Sequence, residues 1–155
     1  EELGASASGP ALSLDQQGRL LALTEEVSGQ PQVVLRRRQG LVWSERELVS
    51  DPRQGPAHHP SLAPSGTTLA FVQRNAGRFQ VAAMDLASRQ TLVLTDGSRD
   101  ESPSFAPNGK MILYEAQENG RGQLSAVSSD GRVRQRLVSS AGDVRDPAWG
   151  PLPTN

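Results

Sequence analysis

Ser102-Pro103-Ser104-Phe105-Ala106-Pro107-Asn108-Gly109-Lys110-Met111-Ile112-Leu113-Tyr114 is the stretch whose reading decides the fold. Its residue types predict strand, tight turn, strand. Pro107 fixes its own φ, and Asn108-Gly109 favours positive φ, a strong short-hairpin signal. Before the turn, Ser104 to Ala106 is a short extended run with one large apolar residue, Phe105. After it, Met111 to Tyr114 is wholly apolar and short enough for a buried strand.

The phrase recurs. His59-Pro60-Ser61-Leu62-Ala63-Pro64-Ser65-Gly66-Thr67-Thr68-Leu69-Ala70-Phe71 repeats it, with Gly66 standing 43 residues before Gly109. A weaker copy runs from Leu12 to Leu23, and its Gly18 stands 48 residues before Gly66. There Leu12 and Gln16 replace the two prolines. A fourth copy begins at Asp146-Pro147-Ala148-Trp149, with Pro147 standing 44 residues after Pro103. A period in the forties with mostly strand content marks an array of β-propeller blades. An ordinary antiparallel sandwich also has turns every 8–12 residues, but it does not require turn phrases at constant offset.

The expected class is therefore all-β, with three four-stranded blades and one extra inner strand. The blades are expected at about 11–58, 59–101 and 102–145, followed by a closing strand at 146–152. Residues 1–10 are small and polar and are expected to form a flexible segment. Predicted strands of the first blade lie at Leu12 to Leu14, Leu20 to Thr24, Gln32 to Arg36 and Leu41 to Val49. Those of the second are Ser61 to Ala63, Thr68 to Gln73, Gln80 to Asp85 and Gln90 to Leu94. Those of the third are Ser104 to Ala106, Met111 to Glu115, Gln123 to Ser128 and Gln135 to Val138. Asp51 to Ala57 reads as loop, and no helix is expected, because Gly or Pro interrupts every window.

Charge is balanced, with Lys+Arg 16 against Asp+Glu 17, which argues against nucleic acid or an anionic membrane as partner. Aromatic residues make up only 4%, so Leu, Val, Ala and Ile must supply most of the core. The absence of cysteine excludes disulfides and thiolate metal sites. No apolar run approaches the roughly 20 residues of a membrane span. The chain starts at Glu1, as a trimmed or a processed secreted chain would.

Three blades cannot close a ring, since rings typically need about 4–8. Left alone they would expose the apolar faces of the first and last sheets. The chain is then either part of a longer protein or half of a six-bladed homodimer, with the strand at 146–152 pairing across the junction.

Few residues offer chemistry. His58 and His59 precede an inner strand, and in an extended segment they point to opposite sides, which disfavours one shared metal. The corresponding loops hold Arg99, Asp100 and Glu101, and then Asp143, Arg145 and Asp146. Together these eight residues are expected to form a charged rim at one ring mouth, either as solvated loop charge or as a partner-binding surface. Arg36-Arg37-Arg38 lacks interleaved aromatics and reads as a solvated turn. Asp96-Gly97 and Asp130-Gly131 read as turns, because no run of acidic oxygens follows them. No nucleophile elbow, phosphate loop or dinucleotide fingerprint is present. Trp149 falls at the aromatic position of the repeat and is expected in the core. Trp43 is expected in an outer strand, partly exposed.

The phrase Pro103-Ser104-Phe105-Ala106-Pro107-Asn108-Gly109-Lys110 resembles the repeat of TolB-type β-propellers, Pro-x-aromatic-Ser/Ala-Pro-Asp/Asn-Gly-Lys followed by an apolar strand. The similarity is strong over about 99–152, where Arg136-Leu137-Val138 and Asp146-Pro147-Ala148-Trp149 look like that family's last blade and closing strand. It is looser over 12–98. The resemblance reaches neither the family's N-terminal α/β domain nor about half of its blades. The resemblance implies a periplasmic or secreted location with the signal peptide removed. It also implies no catalysis and no cofactor, and binding of another protein at one ring mouth, such as a Pal-like lipoprotein of the Tol–Pal system. The alternative is a small carbohydrate-binding or hydrolytic propeller that uses the channel mouth as a pocket. Such a site would need carboxylates or exposed aromatics converging there.

Overall fold

Among the described residues, each of the three copies of the repeated phrase folds as a hairpin, and each hairpin begins an antiparallel sheet. The computed structural model describes residues 12–137. The first sheet contains β1 (Leu12–Leu14), β2 (Leu20–Val27) and β3 (Gln30–Gln39), with β4 (Val42–Trp43) and β5 (Glu47–Leu48) both paired to β3. The second runs in order through β6 (Ala57–Leu62), β7 (Thr68–Asn75), β8 (Arg78–Asp85) and β9 (Thr91–Val93). The third runs through β10 (Asp100–Phe105), β11 (Met111–Glu118), β12 (Arg121–Ser128) and β13 (Arg134–Arg136).

The first turn of each sheet is closed the same way. The Gly109 N–H donates to the Ala106 carbonyl at 2.8 Å, and the Ala106 N–H donates to the Met111 carbonyl at 2.7 Å. Gly66 and Ala63 repeat the first bond at 2.8 Å, and Gly18 and Asp15 at 3.1 Å. The closing glycines sit at φ 72, 75 and 66°, the left-handed region that glycine enters without cost. In the first copy, which lacks proline here, the Asp15 carboxylate adds support. It accepts from the Arg19 and Leu20 N–H groups at 2.7 and 3.0 Å.

Three expectations are corrected. The inner strands begin earlier than the sequence suggests, because β6 and β10 run through Pro60 and Pro103 by means of a bulge. The single outer strand expected over Leu41 to Val49 is broken. β4 pairs with Arg38 and Gln39, β5 pairs with Val34 and Leu35, and the segment between them leaves the ladder. Within the expected loop, Pro52–Gln54 forms one turn of 3-10 helix, capped by the Asp51 carboxylate. The expected segment 1–10, the closing strand at 146–152, Trp149 and Val138 lie outside the described residues.

The sheets stack through apolar faces. Leu20, Ala22, Val33 and Leu35 of the first sheet pack with Leu69, Phe71, Ala82 and Met84 of the second. The other face of the second sheet sets Ala70, Val81 and Ala83 against Ile112, Tyr114 and Val127 of the third. β7 therefore presents apolar side chains to both sides, and its residues Leu69 to Val72 are all buried. On the far face of the first sheet, Leu21, Leu23 and Val34 form a small cluster with the half-buried Trp43 against it.

A polar link accompanies this packing at the inner strands. Ser13 Oγ accepts from the Leu62 N–H at 2.8 Å, and Ser61 Oγ accepts from the Phe105 N–H at 3.2 Å. Ser13 and Ser61 occupy the same repeat position, so each inner strand is tied to the next by the same bond.

Truncating the apolar stack and cutting this link should have different costs. Phe71→Ala should lose about 3–5 kcal/mol, and Ser61→Ala about 1 kcal/mol or somewhat more, since a part-buried N–H is left unpaired. Urea unfolding of the two variants checks both values. Equal losses would contradict this ranking.

Candidate functional site

The antiparallel register puts the start of β6, the β7–β8 turn, the β9–β10 connection and the start of β10 at one end of the sheets. His58, His59, Arg99, Asp100 and Glu101 all lie at this mouth. Hydroxyls anchor the connections that lead to it. Ser50 Oγ accepts from the Val33 N–H at 2.8 Å, and Thr95 Oγ1 accepts from the Val81 N–H at 3.0 Å. The mouth is thus built on pinned backbone.

The histidine pair departs from expectation. His58 and His59 stand within β6, and the bulge puts His59 at φ 51°. This breaks strand alternation, and both rings come to the same place. Their Nδ1 atoms are 2.7 Å apart and their ring centroids 4.8 Å, at an interplanar angle of 72°. Such a contact requires one shared proton, with one Nδ1 donating and the other accepting. The third sheet has the same bulge, with Ser102 at φ 55°. The distortion therefore belongs to the repeat, and the histidines occupy it.

Around this pair the expected Arg99 is joined by Phe79 and Arg74, which sequence reasoning did not single out as site residues. The Phe79 ring lies edge-on to His58, with centroids 5.9 Å apart. The guanidinium carbons of Arg74 and Arg99 lie 5.1 and 5.5 Å from the Phe79 centroid. Arg99 is brought there by the backbone, through a parallel bridge to Phe79 and a 3.0 Å bond from the Gln117 N–H to the Arg99 carbonyl. Its side chain also pairs with Glu101 at 3.5 Å. One signal for Phe79 was available in the sequence. Gly77-Arg78-Phe79 and Gly120-Arg121-Gly122 are copies that differ at their third residue.

Asp100 is not a solvated rim charge. It is only 3% exposed, and its carboxylate accepts from the Gly97 N–H at 2.9 Å. Burial raises its pKa, opposed by hydrogen bonds from Thr95 and Gly97. It holds the turn that enters β10. Asp143, Arg145 and Asp146 lie outside the described residues.

Other expected features are placed as follows. Arg36 pairs with Glu25 at 3.6 Å and Arg37 with Glu47 at 3.5 Å, so the basic run is partly neutralised. Asp130 caps its own turn, accepting from the Ser128 hydroxyl at 2.6 Å and the Arg132 N–H at 3.0 Å. Among the described residues no three His, Cys, Asp or Glu side chains cluster in a way that could hold a metal ion. No helix among them is long and apolar enough to cross a membrane. A cavity of about 740 Å³ lies between β5 and β9, walled by Leu48 and Val93 and floored by Phe71 and Met84. Its lining runs from Arg89 and Thr91 to Gln54 and Gln73, and Gln73 is paired with Ala57 at the start of β6.

Comparison with known proteins agrees with the series of antiparallel sheets. A family model described as the TolB beta propeller domain matches residues 5–153. The Tol-Pal system protein TolB of Azoarcus sp. is 69% identical over 81 residues, which is 52% of this chain and 19% of that protein. The crystal structure of TolB from Acinetobacter baumannii superposes with a TM-score of 0.64 at 27% identity, covering 92% of this chain and 46% of that one. A TolB-type structure from Agrobacterium tumefaciens gives a TM-score of 0.74 at 23% identity, covering 84% and 46%. The matched segment is thus about a fifth of the curated relative's length and about half of the solved chains.

The His58 environment has a consequence for pH. Burial first, then His59 and Arg74, push its pKa from 6.5 down to about 4. Between those values the unfolded chain binds a proton that the folded chain does not. This contribution is therefore fully present above about pH 6.5 and is lost as pH falls towards 4. Allowing for residual solvent contact, the loss should be about 2–3 kcal/mol. Urea unfolding at pH 7 and at pH 4.5 should show it in the parent chain and a much smaller loss in His58→Gln. Parallel declines would refute the assignment.

Proposed function

The chain belongs to the TolB beta-propeller domain family, and from that premise we propose that it is a non-enzymatic protein-binding scaffold of the cell envelope. On this reading it resides in the periplasm and works in the Tol–Pal system, with a Pal-like lipoprotein as partner. The partner seats on the mouth that carries His58, His59, Arg99 and Glu101, with Asp100 holding the turn beneath, while Asp143, Arg145 and Asp146 are further candidate contacts outside the described residues. The observation that carries the reading is the convergence of polar and aromatic side chains on bonded backbone at one end of the sheets. High identity to proteins named for the Tol-Pal system supports the cellular setting.

The blade units at about 11–58, 59–101 and 102–145, closed by a strand at 146–152, suit a six-bladed ring of two chains. Support comes from the count of sheets, since the three among the described residues are fewer than the roughly 4–8 blades that typically close a ring.

Two experiments test these readings. Affinity capture from envelope extract should recover a partner with the parent chain. The quadruple variant with His58, His59, Arg99 and Arg145 changed to Gln should lose it, and undiminished recovery would remove the rim from the mechanism. Light scattering should return twice the 16.6 kDa of one chain. The mass of a single folded chain would end the two-chain ring.

A further inference from the structure

The cluster around Phe79 is not a requirement of the repeat. The cross-strand pair Arg74↔Phe79 beside the β7–β8 turn is Gln117↔Gly122 in the third sheet and Glu26↔Pro31 in the first. His58 and His59 are replaced in the third sheet by Glu101 and Ser102. Yet the third sheet keeps the bulge, with Ser102 at φ 55°, and the same two-residue turn, with Asn119 and Gly120 at φ 53 and 76°. Backbone and packing are achieved without a histidine pair, an aromatic ring or the Arg74 counterpart. The fold of the repeat therefore does not demand these residues.

We propose that this corner of the mouth is a receptor for side-chain carboxylates on an acidic segment of the protein partner. The proposal rests on the partner-binding reading above and specifies its chemistry. Arg74 and Arg99 are both seated on one ring, which brings two like charges together without a full complement of counter-charge. Among the described residues no carboxylate forms an ion pair with Arg74, and Arg99 has only Glu101, at 3.5 Å. Stacking on an aromatic ring orients a guanidinium while leaving its N–H donors for a planar acceptor, and a carboxylate matches that fork. The accepting ring of the histidine pair contributes without being charged. Whichever ring accepts the shared proton at Nδ1 carries its own proton on Nε2, a neutral donor directed away from the pair.

The sign pattern selects the class of ligand. Glu101, Asp96 and Glu118 stand at the same mouth, and Asp96 and Glu118 are engaged by Arg134 and Arg136 at 2.5 and 3.2 Å. An extended polyanion would meet alternating sign there. One or two Asp or Glu side chains on a peptide meet only the cationic corner.

The test uses the full chain and an acetylated, amidated Asp-Glu-Asp-Glu peptide, titrated by calorimetry with backbone amide shifts followed in parallel. The peptide should move the amides of His58, His59, Phe79 and Arg99. Arg74→Gln and Arg99→Gln should each weaken binding about fivefold or more. Arg121→Gln makes the same charge change at the matching hairpin of the third sheet and should alter affinity by less than about twofold. Unchanged affinity in both Arg74→Gln and Arg99→Gln would overturn the proposal. So would equal binding of the Asn-Gln-Asn-Gln peptide, equal loss in Arg121→Gln, or tighter binding of heparin than of the peptide. The two readings fail separately. Loss of the envelope partner in the rim variant without peptide binding would leave the rim and remove the carboxylate chemistry. Peptide binding with an intact envelope capture would do the reverse.

Discussion

A sheet with two apolar faces cannot stand in water by itself, and the second sheet of this chain is such a sheet. Leu69 and Phe71 point one way from β7, and Ala70 and Val72 the other. Each face removes apolar surface from water only when another sheet lies against it. Stacking is therefore the condition for any sheet being present. Every other feature, from turn chemistry to the placement of loops, is arranged so that successive sheets meet face to face.

The same constraint explains why functional side chains gather at an end. Central strand positions are committed to packing. Only the turns with the strand ends beside them, the connections and the first residues of the inner strands are left for chemistry, and in and just after the second sheet these carry His58, His59, Arg74, Phe79 and Arg99. The bulge adds one more freedom. By breaking alternation it puts two consecutive side chains on one side of β6, which a regular strand cannot do.

Much of this was legible from residue types. The Pro-x-Gly turns, the apolar runs after them and their nearly constant offset pointed to hairpins stacked in series, and to the TolB-type family. What escaped had physical causes. The bulge depends on positive φ at His59 and Ser102, residues that do not advertise that conformation as glycine does. Asp100 read as solvated because its sequence neighbours are charged, yet Gly97 and Thr95 give its carboxylate partners inside the turn. The outer strand of the first sheet read as continuous, although pairing to the long β3 at two separated places is what its sequence supports in space. Ser13 and Ser61 looked like ordinary strand polar residues, because their partners belong to the next repeat.

Those serine bonds also bear on curvature. At the inner strands, neighbouring sheets are held at the length of one O···N contact, 2.8 to 3.2 Å. Farther out, the interval is filled by Phe71 and Met84 in one gap and Tyr114 in the other. A short tether on one margin and bulky spacers beyond it turn each gap into a wedge. Successive wedges of one sense bend the stack into an arc, so the radius of that arc is written jointly by a hydroxyl and by the volumes of a few side chains.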